Sequence, residues 1–254
     1  MKNGVFEHLS AKEGFMGNAG TITEDNEGRI YISSGEGLYV YAQGKFSLLT
    51  TANGLAANPI QTVYHDTDGS ILVATAQGVQ SYRNGAFSPA LTTAQGLPSN
   101  IVLSLLRDSE GTLWMGTNRG LVAMRGSWQS PSFTVYTQAT NNLAGNVINS
   151  MLIDKRGNFF LSCPGGGLSR FNPRMATAEN ITTANGLQDN NTLSLMADME
   201  GSVWVGTGAD GLHRLRDGKF TLLGQPEGFT VNPIWSILQD KRGDVWVATA
   251  GGGV

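Results

Sequence analysis

The sequence has 254 residues, of which 40% are hydrophobic and 15% charged, so the chain holds enough apolar side chains for a sizeable core and is not a disordered tail. Its net charge of −3 argues against bulk attraction to nucleic-acid phosphates or anionic membranes. One cysteine excludes an internal disulfide framework, three scattered histidines argue against a histidine-rich metal site, and 34 glycines favour short strands joined by tight turns.

A turn motif recurs along the chain at a nearly constant interval. Asp-x-x-Gly occurs with steps of 41, 42, 46, 44 and 42 residues between its aspartates. The aspartates are Asp25, Asp66, Asp108, Asp154, Asp198 and Asp240. Apolar segments flank each motif, so each predicts a hairpin whose glycine takes a positive φ. We expect the aspartates to accept backbone N–H bonds as turn residues, and not to serve as calcium ligands or paired catalytic carboxylates.

Each repeat predicts four strands, termed a to d in chain order. Strand a follows a Gly-Leu-x-x-Asn pattern, strand b follows the Asp-x-x-Gly turn, strand c begins at Gly-Leu or Gly-Val, and strand d follows a turn such as Asn84-Gly85. In strand b a large residue and a small residue two positions later share a face, which leaves a notch for a neighbouring sheet. A period of about 40–45 residues with four strands is typical of a β-propeller blade.

The repeat therefore predicts an all-β fold, a six-bladed β-propeller of four-stranded antiparallel blades in a single domain, 1–254. The blades are expected at 11–51, 52–93, 94–139, 140–183, 184–225 and 226–254 plus 1–10. Met1 and Gly4 repeat the spacing of a c–d turn, and Val254 matches the start of strand c, so the N-terminal strand is expected to complete the last blade and close the ring. The alternative is an excerpt of a longer seven-bladed or tandem propeller.

Two segments carry the full repeat pattern: GLPSNIVLSLLRDSEGTLWMGTNRGL at 96–121 and GLQDNNTLSLMADMEGSVWVGTGADGL at 186–212. The pattern resembles the two-component regulator propeller repeat. The resemblance implies a non-catalytic sensory module of a bacterial two-component-type receptor, periplasmic or extracellular, for which polysaccharide-derived ligands are common. The first repeat departs by one missing residue, and the fourth has Phe-Phe-Leu-Ser-Cys in place of Trp-x-Gly-Thr. The N-terminal sequence MKNGVFEHLS lacks the apolar region of a secretory signal.

Residues that break the repeat at one end of the blades are candidate ligand contacts. In propellers the d–a and b–c connections share one face, and strand a lines the channel. Three residues after the repeated asparagine stand Gln61, Leu103, Asn149, Leu193 and Trp235. Trp235 is the aromatic exception and is suited to stacking on a sugar ring, whereas Arg119 and Asp210 occupy b–c turns that are glycine-rich in two other repeats. The predicted ligand-binding residues are Gln61, Arg119, Asn149, Asp210 and Trp235.

Catalytic residues, metals and cofactors are not predicted. Cys163 has no adjacent base, and it shares its repeat position with Ser and Thr, which indicates a need for a small side chain rather than a nucleophile. A lyase-like propeller enzyme would need His213 to converge with a carboxylate such as Asp210. The sequence thus favours a sensor of a small ligand, for example an oligosaccharide, over a protein-interaction scaffold that docks or self-associates through 126–142, and over a lyase. Nucleic-acid binding and a membrane span are not expected.

Overall fold

The computed structural model describes residues 9, 11–216, 218–224, 227–228 and 233–250. Their regular structure is almost entirely β, with short helical turns at Thr51–Asn53, Thr93–Gln95 and Gln138–Asn141. The chain forms two compact units, 1–107 and 108–254. The strands group into five four-stranded sheets and one two-stranded sheet among the described residues.

The first unit contains sheet 1 (β1–β4), sheet 2 (β5–β8) and β9, the first strand of sheet 3. Within sheets 1 and 2 each strand pairs antiparallel with the next in the chain. The strands are β1 (Ile22–Glu24), β2 (Ile30–Ser33), β3 (Leu38–Ala42), β4 (Lys45–Leu49), β5 (Ile60–His65), β6 (Ile71–Thr75), β7 (Gly78–Arg83), β8 (Ala86–Phe87) and β9 (Val102–Arg107).

The second unit contains the other three strands of sheet 3 (β10–β12), sheet 4 (β13–β16), sheet 5 (β17–β20) and sheet 6 (β21–β22). The strands are β10 (Leu113–Thr117), β11 (Gly120–Ser127), β12 (Ser130–Tyr136), β13 (Ser150–Ile153), β14 (Phe159–Cys163), β15 (Gly167–Asn172), β16 (Thr177–Ile181), β17 (Thr192–Ala197), β18 (Val203–Thr207), β19 (Leu212–Arg216), β20 (Lys219–Leu223), β21 (Ile234–Gln239) and β22 (Val245–Thr249).

The predicted a–b–c–d order is confirmed in the first five repeats, and strands a and b are present in the sixth. The all-β architecture of antiparallel sheets is consistent with a propeller. The closure prediction concerns residues 1–10 and 254, and all of these except Leu9 lie outside the described residues.

The Asp-x-x-Gly turns form as predicted, which explains why the a–b hairpins recur. In the fifth repeat Asp198 Oδ1 accepts the N–H groups of Glu200 at 3.0 Å and Ser202 at 2.7 Å, while Gly201 takes φ +88°. The same pair of bonds forms at Asp25, Asp108, Asp154 and Asp240. The carboxylate therefore replaces water for two backbone donors and fixes the turn.

The second carboxylate oxygen of each turn aspartate is also bonded, and strand b supplies the donor wherever it carries tryptophan. The indole N–H groups of Trp114, Trp204 and Trp246 donate to Asp108, Asp198 and Asp240 at 2.7, 2.8 and 3.2 Å. Tyr31, Asn158 and Arg107 supply a donor to Oδ2 of Asp25, Asp154 and Asp66 in the repeats that lack this tryptophan. The tryptophans, predicted as packing residues, therefore also brace the hairpins.

The notch predicted in strand b is confirmed at Gly206. A Cβ atom there would lie 2.6 Å from Ile234 Cγ2 on β21, closer than real Cβ contacts allow. Trp204 is buried, as the alternation of large and small residues requires, and it packs in one cluster with Leu212, Ile234 and Ile237. Sheets 5 and 6 therefore contact each other through a tryptophan and a glycine on the same face of one strand.

Candidate functional site

The candidate position on strand a lies at a break in the strand ladder. In β5, β17 and β21 the pairing register shifts around one residue, which is Gln61, Leu193 or Trp235 respectively. A β-bulge leaves its extra residue unpaired and re-aims the side chain. Trp235 is 59% exposed, so its indole presents a flat apolar surface to solvent instead of filling a core.

Hydrogen bonds tie the first strands of sheets 4, 5 and 6 side by side. The Asn149 side-chain amide donates to the Leu193 carbonyl at 2.8 Å, and the Ser194 hydroxyl donates to the Ile234 carbonyl at 3.0 Å. These bonds place Asn149, Leu193 and Trp235 in a row, which we call the strand-a row. One N–H of the Asn149 amide is engaged in this row, so its second N–H and its side-chain oxygen remain for a ligand.

The b–c turns are held by a threonine hydroxyl, which fixes where Arg119 and Asp210 stand. Thr117 Oγ1 accepts the Arg119 N–H at 3.0 Å, and Thr207 Oγ1 accepts the Asp210 N–H at 3.2 Å. Each hydroxyl also donates to the carbonyl of the glycine before strand c, at 2.8 and 2.9 Å. The side chains of Arg119 and Asp210 are exposed on these ordered turns and are open to a ligand.

The fourth repeat shows that this threonine position needs a hydroxyl and not merely a small side chain, which corrects the sequence interpretation. Cys163 stands there, fully buried, and burial raises the pKa of its thiol to about 11, so it offers no thiolate. Thr192 on the next sheet supplies the missing hydroxyl: Oγ1 donates to the Gly167 carbonyl at 2.7 Å and accepts the Cys163 N–H at 3.1 Å.

His213 lies inside the second unit and does not line a binding face. It is 1% exposed, its ring centroid is 6.4 Å from that of Phe220, and both ring nitrogens lack a hydrogen-bond partner. Burial lowers the pKa of His213, against an opposing effect of Asp210 and Asp189. The pair that a lyase would need is therefore not formed between His213 and Asp210.

Three of the asparagines that recur before strand a have a structural role, because they bind the turn that precedes the strand. Side-chain oxygens of Asn100, Asn146 and Asn190 accept the N–H groups of Thr93, Gln138 and Thr183, each at 2.8 Å. Their regular use leaves the residues that differ between repeats as the candidates for recognition.

The five predicted ligand-binding residues are distributed over five sheets. Gln61, half-buried on sheet 2, belongs to the first unit, and the other four belong to sheets 3, 4, 5 and 6 of the second. Across the described ranges no hydrogen bond joins any two of the five. The structure brings Asn149 and Trp235 into one row through Leu193, whereas Arg119 and Asp210 stand on separate turns.

Neither a metal centre nor a spanning helix emerges from the described part of the chain. It contains no group of three or more His, Cys, Asp or Glu side chains arranged to hold a metal ion. None of its helices has the length and apolar character needed to cross a membrane.

Solved structures share this fold at low sequence identity. The extracellular domain of a protein described as a hybrid two-component system from B. thetaiotaomicron superposes with a TM-score of 0.82 at 22% identity, covering 97% of this chain and 34% of that one. A second extracellular domain from B. thetaiotaomicron, described as a one-component system, gives 0.79 at 19%, covering 95% and 35%. Virginiamycin B lyase from Staphylococcus aureus gives 0.70 at 12%, covering 91% and 77%. The chain thus spans about a third of the length of the first two.

Three segments of the chain, 96–119, 186–209 and 228–251, match a family model described as "Two component regulator propeller". No curated protein matches the chain significantly. The matched segments each contain the strand-a position, the Asp-x-x-Gly turn and strand b, which are the features that build the sheets described above. These segments therefore carry two-component regulator propeller repeats, in agreement with the fold of the chain.

Proposed function

We propose that this chain is a non-catalytic sensory module of a bacterial two-component-type receptor, located in the periplasm or outside the cell, and that it binds a carbohydrate-derived ligand at the strand-a row. The observation that carries the proposal is the exposure of Trp235, whose side chain is 59% exposed at a bulge in β21. The equivalent bulges on sheets 2 and 5 carry Gln61 and Leu193 instead. A rigid aromatic face in one row with an amide side chain is a common composition of ligand sites.

The proposal includes a closed ring of six blades. Six repeats support it, and so does the spacing of Met1 and Gly4, which would supply strand d to a sixth sheet whose described strands are β21 and β22. Two extracellular domains with this fold, quoted above, support the location and the sensory role. In a receptor of this kind the module would change a downstream signal without turning over its ligand.

A screen of neutral and acidic oligosaccharides by glycan array, followed by thermal-shift measurement of each hit, tests the sensory proposal. We expect at least one oligosaccharide to bind and to raise the melting temperature, because a ligand that binds only the native state stabilises it. If neither assay detects a bound oligosaccharide and pull-downs recover a specific protein partner, the results would favour the protein-interaction scaffold.

The scaffold alternative has one structural observation in its favour. The β11–β12 hairpin is the longest in the described chain, and Val135 on β12 is an exposed apolar residue. The lyase alternative is supported by the fold alone, through the likeness to virginiamycin B lyase. The buried, unpartnered ring of His213 supplies no base for such chemistry.

A further inference from the structure

A concave site lies in the unit 108–254, at the opposite end of its sheets from Arg119. It is a cavity of about 510 Å³ at the Asp-x-x-Gly and c–d turns of sheets 3 and 4, which is within the usual size of ligand pockets. Buried aromatic rings line it: Trp114 lies 4.8 Å from Phe159 and 6.1 Å from Phe171, centroid to centroid. We call this cavity the arginine cleft.

The arginine cleft is lined by Arg125, Arg156 and Arg174. Across the part of the chain that the structure describes, none of their guanidinium groups has an ion-pair or hydrogen-bond partner; Arg156 and Arg174 donate only through backbone N–H, to Asp154 and Asn172. An unpaired guanidinium presents a fork of donors that fits carboxylate, sulfate or phosphate oxygens.

Two carboxylates also line the cleft, and they do not neutralise it. Asp108 uses one oxygen for the N–H groups of Glu110 and Thr112 and the other for the Trp114 indole. Glu110 is the remaining carboxylate against three arginines. The lining therefore carries a net positive charge of +1, with donors unused.

The first unit has an equivalent cavity at the corresponding turns of sheets 1 and 2, and the arginines that line it form ion pairs with its own acidic residues. That cavity has a volume of about 430 Å³. In it Arg29 pairs with Asp25 at 2.6 Å, and Arg83 pairs with Asp68 at 3.7 Å. Both arginines that line this cavity therefore form an ion pair with an aspartate of the same cavity.

Two differences between the repeats add positive charge in the second unit, where Thr112 and Asn172 stand at the positions of the paired Arg29 and Arg83. Arg156 occupies the position of Asp68, two residues after the turn aspartate, and Arg174 occupies the position of Gly85, seven residues after the glycine that opens strand c. The sequence thus reverses one charge and adds another at a cleft whose geometry the repeat fixes.

We propose that the arginine cleft binds a small polyanion, a molecule with two or more carboxylate, sulfate or phosphate groups. The arginines would each grip one oxyanion, and the buried aromatic rings would limit competition from water. This site is separate from the strand-a row, so it does not depend on the proposed carbohydrate ligand.

Isothermal titration with citrate and with tripolyphosphate, at constant ionic strength in chloride, tests the proposal. The test variant is Arg156→Gln/Arg174→Gln. The matched control is Arg216→Gln/Arg242→Gln, which removes the same charge from exposed arginines paired with Glu200 and with Asp240. We expect the wild type to bind at least one probe, the test variant to lose affinity about tenfold or more, and the control to retain it.

Melting temperatures of the ligand-free proteins confirm that both variants fold. No binding of either probe by the wild type would overturn the proposal. Equal losses in the test variant and its control would do the same, because they would show an effect of net charge alone.

Discussion

At the residue scale, the second residue after the glycine that opens strand c does one task with a different side chain in each of three repeats. It accepts the N–H of the residue after Gly-Leu or its equivalent. The pairs are Tyr39 with Met16, Gln80 with Ala56 and Ser169 with Ala144, at 3.4, 2.6 and 2.8 Å. In the third repeat Pro98 has no N–H, and Val122 stands opposite. The exception is His213, which fills the position in the fifth repeat without a partner.

His213 predicts a pH dependence of stability. Burial lowers its pKa in the folded state below the ordinary value of about 6.5, so the unfolded chain takes up a proton more readily than the native chain. The contribution of neutral His213 to the free energy of unfolding is fully present above about pH 6.5, and it declines as the pH falls below that value. His213→Gln introduces the side chain that Gln80 uses and should remove this part of the decline.

Urea unfolding at pH 7.5, 6.5 and 5.5 measures this effect. We expect the free energy of unfolding to fall less between the first and last pH in His213→Gln than in the wild type. Parallel pH profiles would show that His213 does not titrate differently in the two states.

The hydroxyl of Thr192 predicts a coupled pair. Thr192→Val leaves the buried Gly167 carbonyl without its donor, and it should lower the free energy of unfolding by about 1–3 kcal/mol. Cys163→Thr restores a hydroxyl at the position where Thr117 and Thr207 bond the same carbonyl in their repeats. The double variant should therefore be more stable than Thr192→Val alone.

A double-mutant cycle by chemical denaturation measures that coupling. A favourable interaction energy is expected between the two substitutions. Additive losses would mean that the hydroxyl and the thiol positions are independent, and would contradict the compensation described here.

At the element scale, the a–b hairpin is a local structure that a side chain from its own strand b braces in four repeats. The turn was predictable because Asp and Gly act within four residues. The indole bond was also available to sequence reasoning, since Trp stands six residues after Asp in three repeats, but the tryptophans were interpreted as packing residues only. The Arg107 bond to Asp66 was not predictable, because Arg107 comes 41 residues later on another sheet.

The candidate site divides in the same way. Trp235 was predicted because it breaks a pattern, and its exposure agrees with a role in recognition. The bulge that re-aims it is a register shift between β21 and β22, and no residue type in the sequence marks it. The arginine cleft is not predictable from one motif, because Arg125 comes from β11 on sheet 3 whereas Arg156 and Arg174 come from two different turns of sheet 4.

Trp204→Phe tests the brace. Burial raises the pKa of Asp198, but hydrogen bonds from Trp204 and Ser202 outweigh it and hold the pKa below its usual value. This stabilisation is present above pH about 3.9 and is lost as the pH falls through the lowered pKa. The variant should lose about 1–2 kcal/mol at pH 7, and its deficit should shrink toward pH 2–3.

Chemical unfolding at pH 7 and pH 3 provides the measurement. Trp235→Phe, at an exposed tryptophan outside any turn, is the control and should show no such change between the two pH values. A deficit in Trp204→Phe that stays constant with pH would assign the loss to packing alone.

At the scale of the whole molecule, the proposed ring closure predicts that the first residues are essential to stability. Deletion of residues 1–9 should remove strand d of the last blade, lower the melting temperature by several degrees or more and promote aggregation, because a blade face becomes exposed. Thermal unfolding and size-exclusion chromatography measure this. An N-terminal extension that keeps residues 1–9 is the control, and a neutral deletion would favour an excerpt of a longer propeller.

The division of labour between recurring and deviating residues is the central claim for the molecule. Recurring residues, such as the turn aspartates and the Gly-Leu pairs, build each sheet, and we propose that the deviating residues recognise the ligand. Trp235 and Leu238 offer a matched pair, since both are on β21 and both are exposed, at 59% and 63%.

The most direct measurement compares the affinity of the wild type, Trp235→Ala and Leu238→Ala for an oligosaccharide identified on the array, together with the melting temperature of each ligand-free protein. We predict that Trp235→Ala melts like the wild type and loses binding, while Leu238→Ala keeps both. Retained binding in Trp235→Ala, or a variant that no longer folds because the indole is a packing residue, would contradict the account.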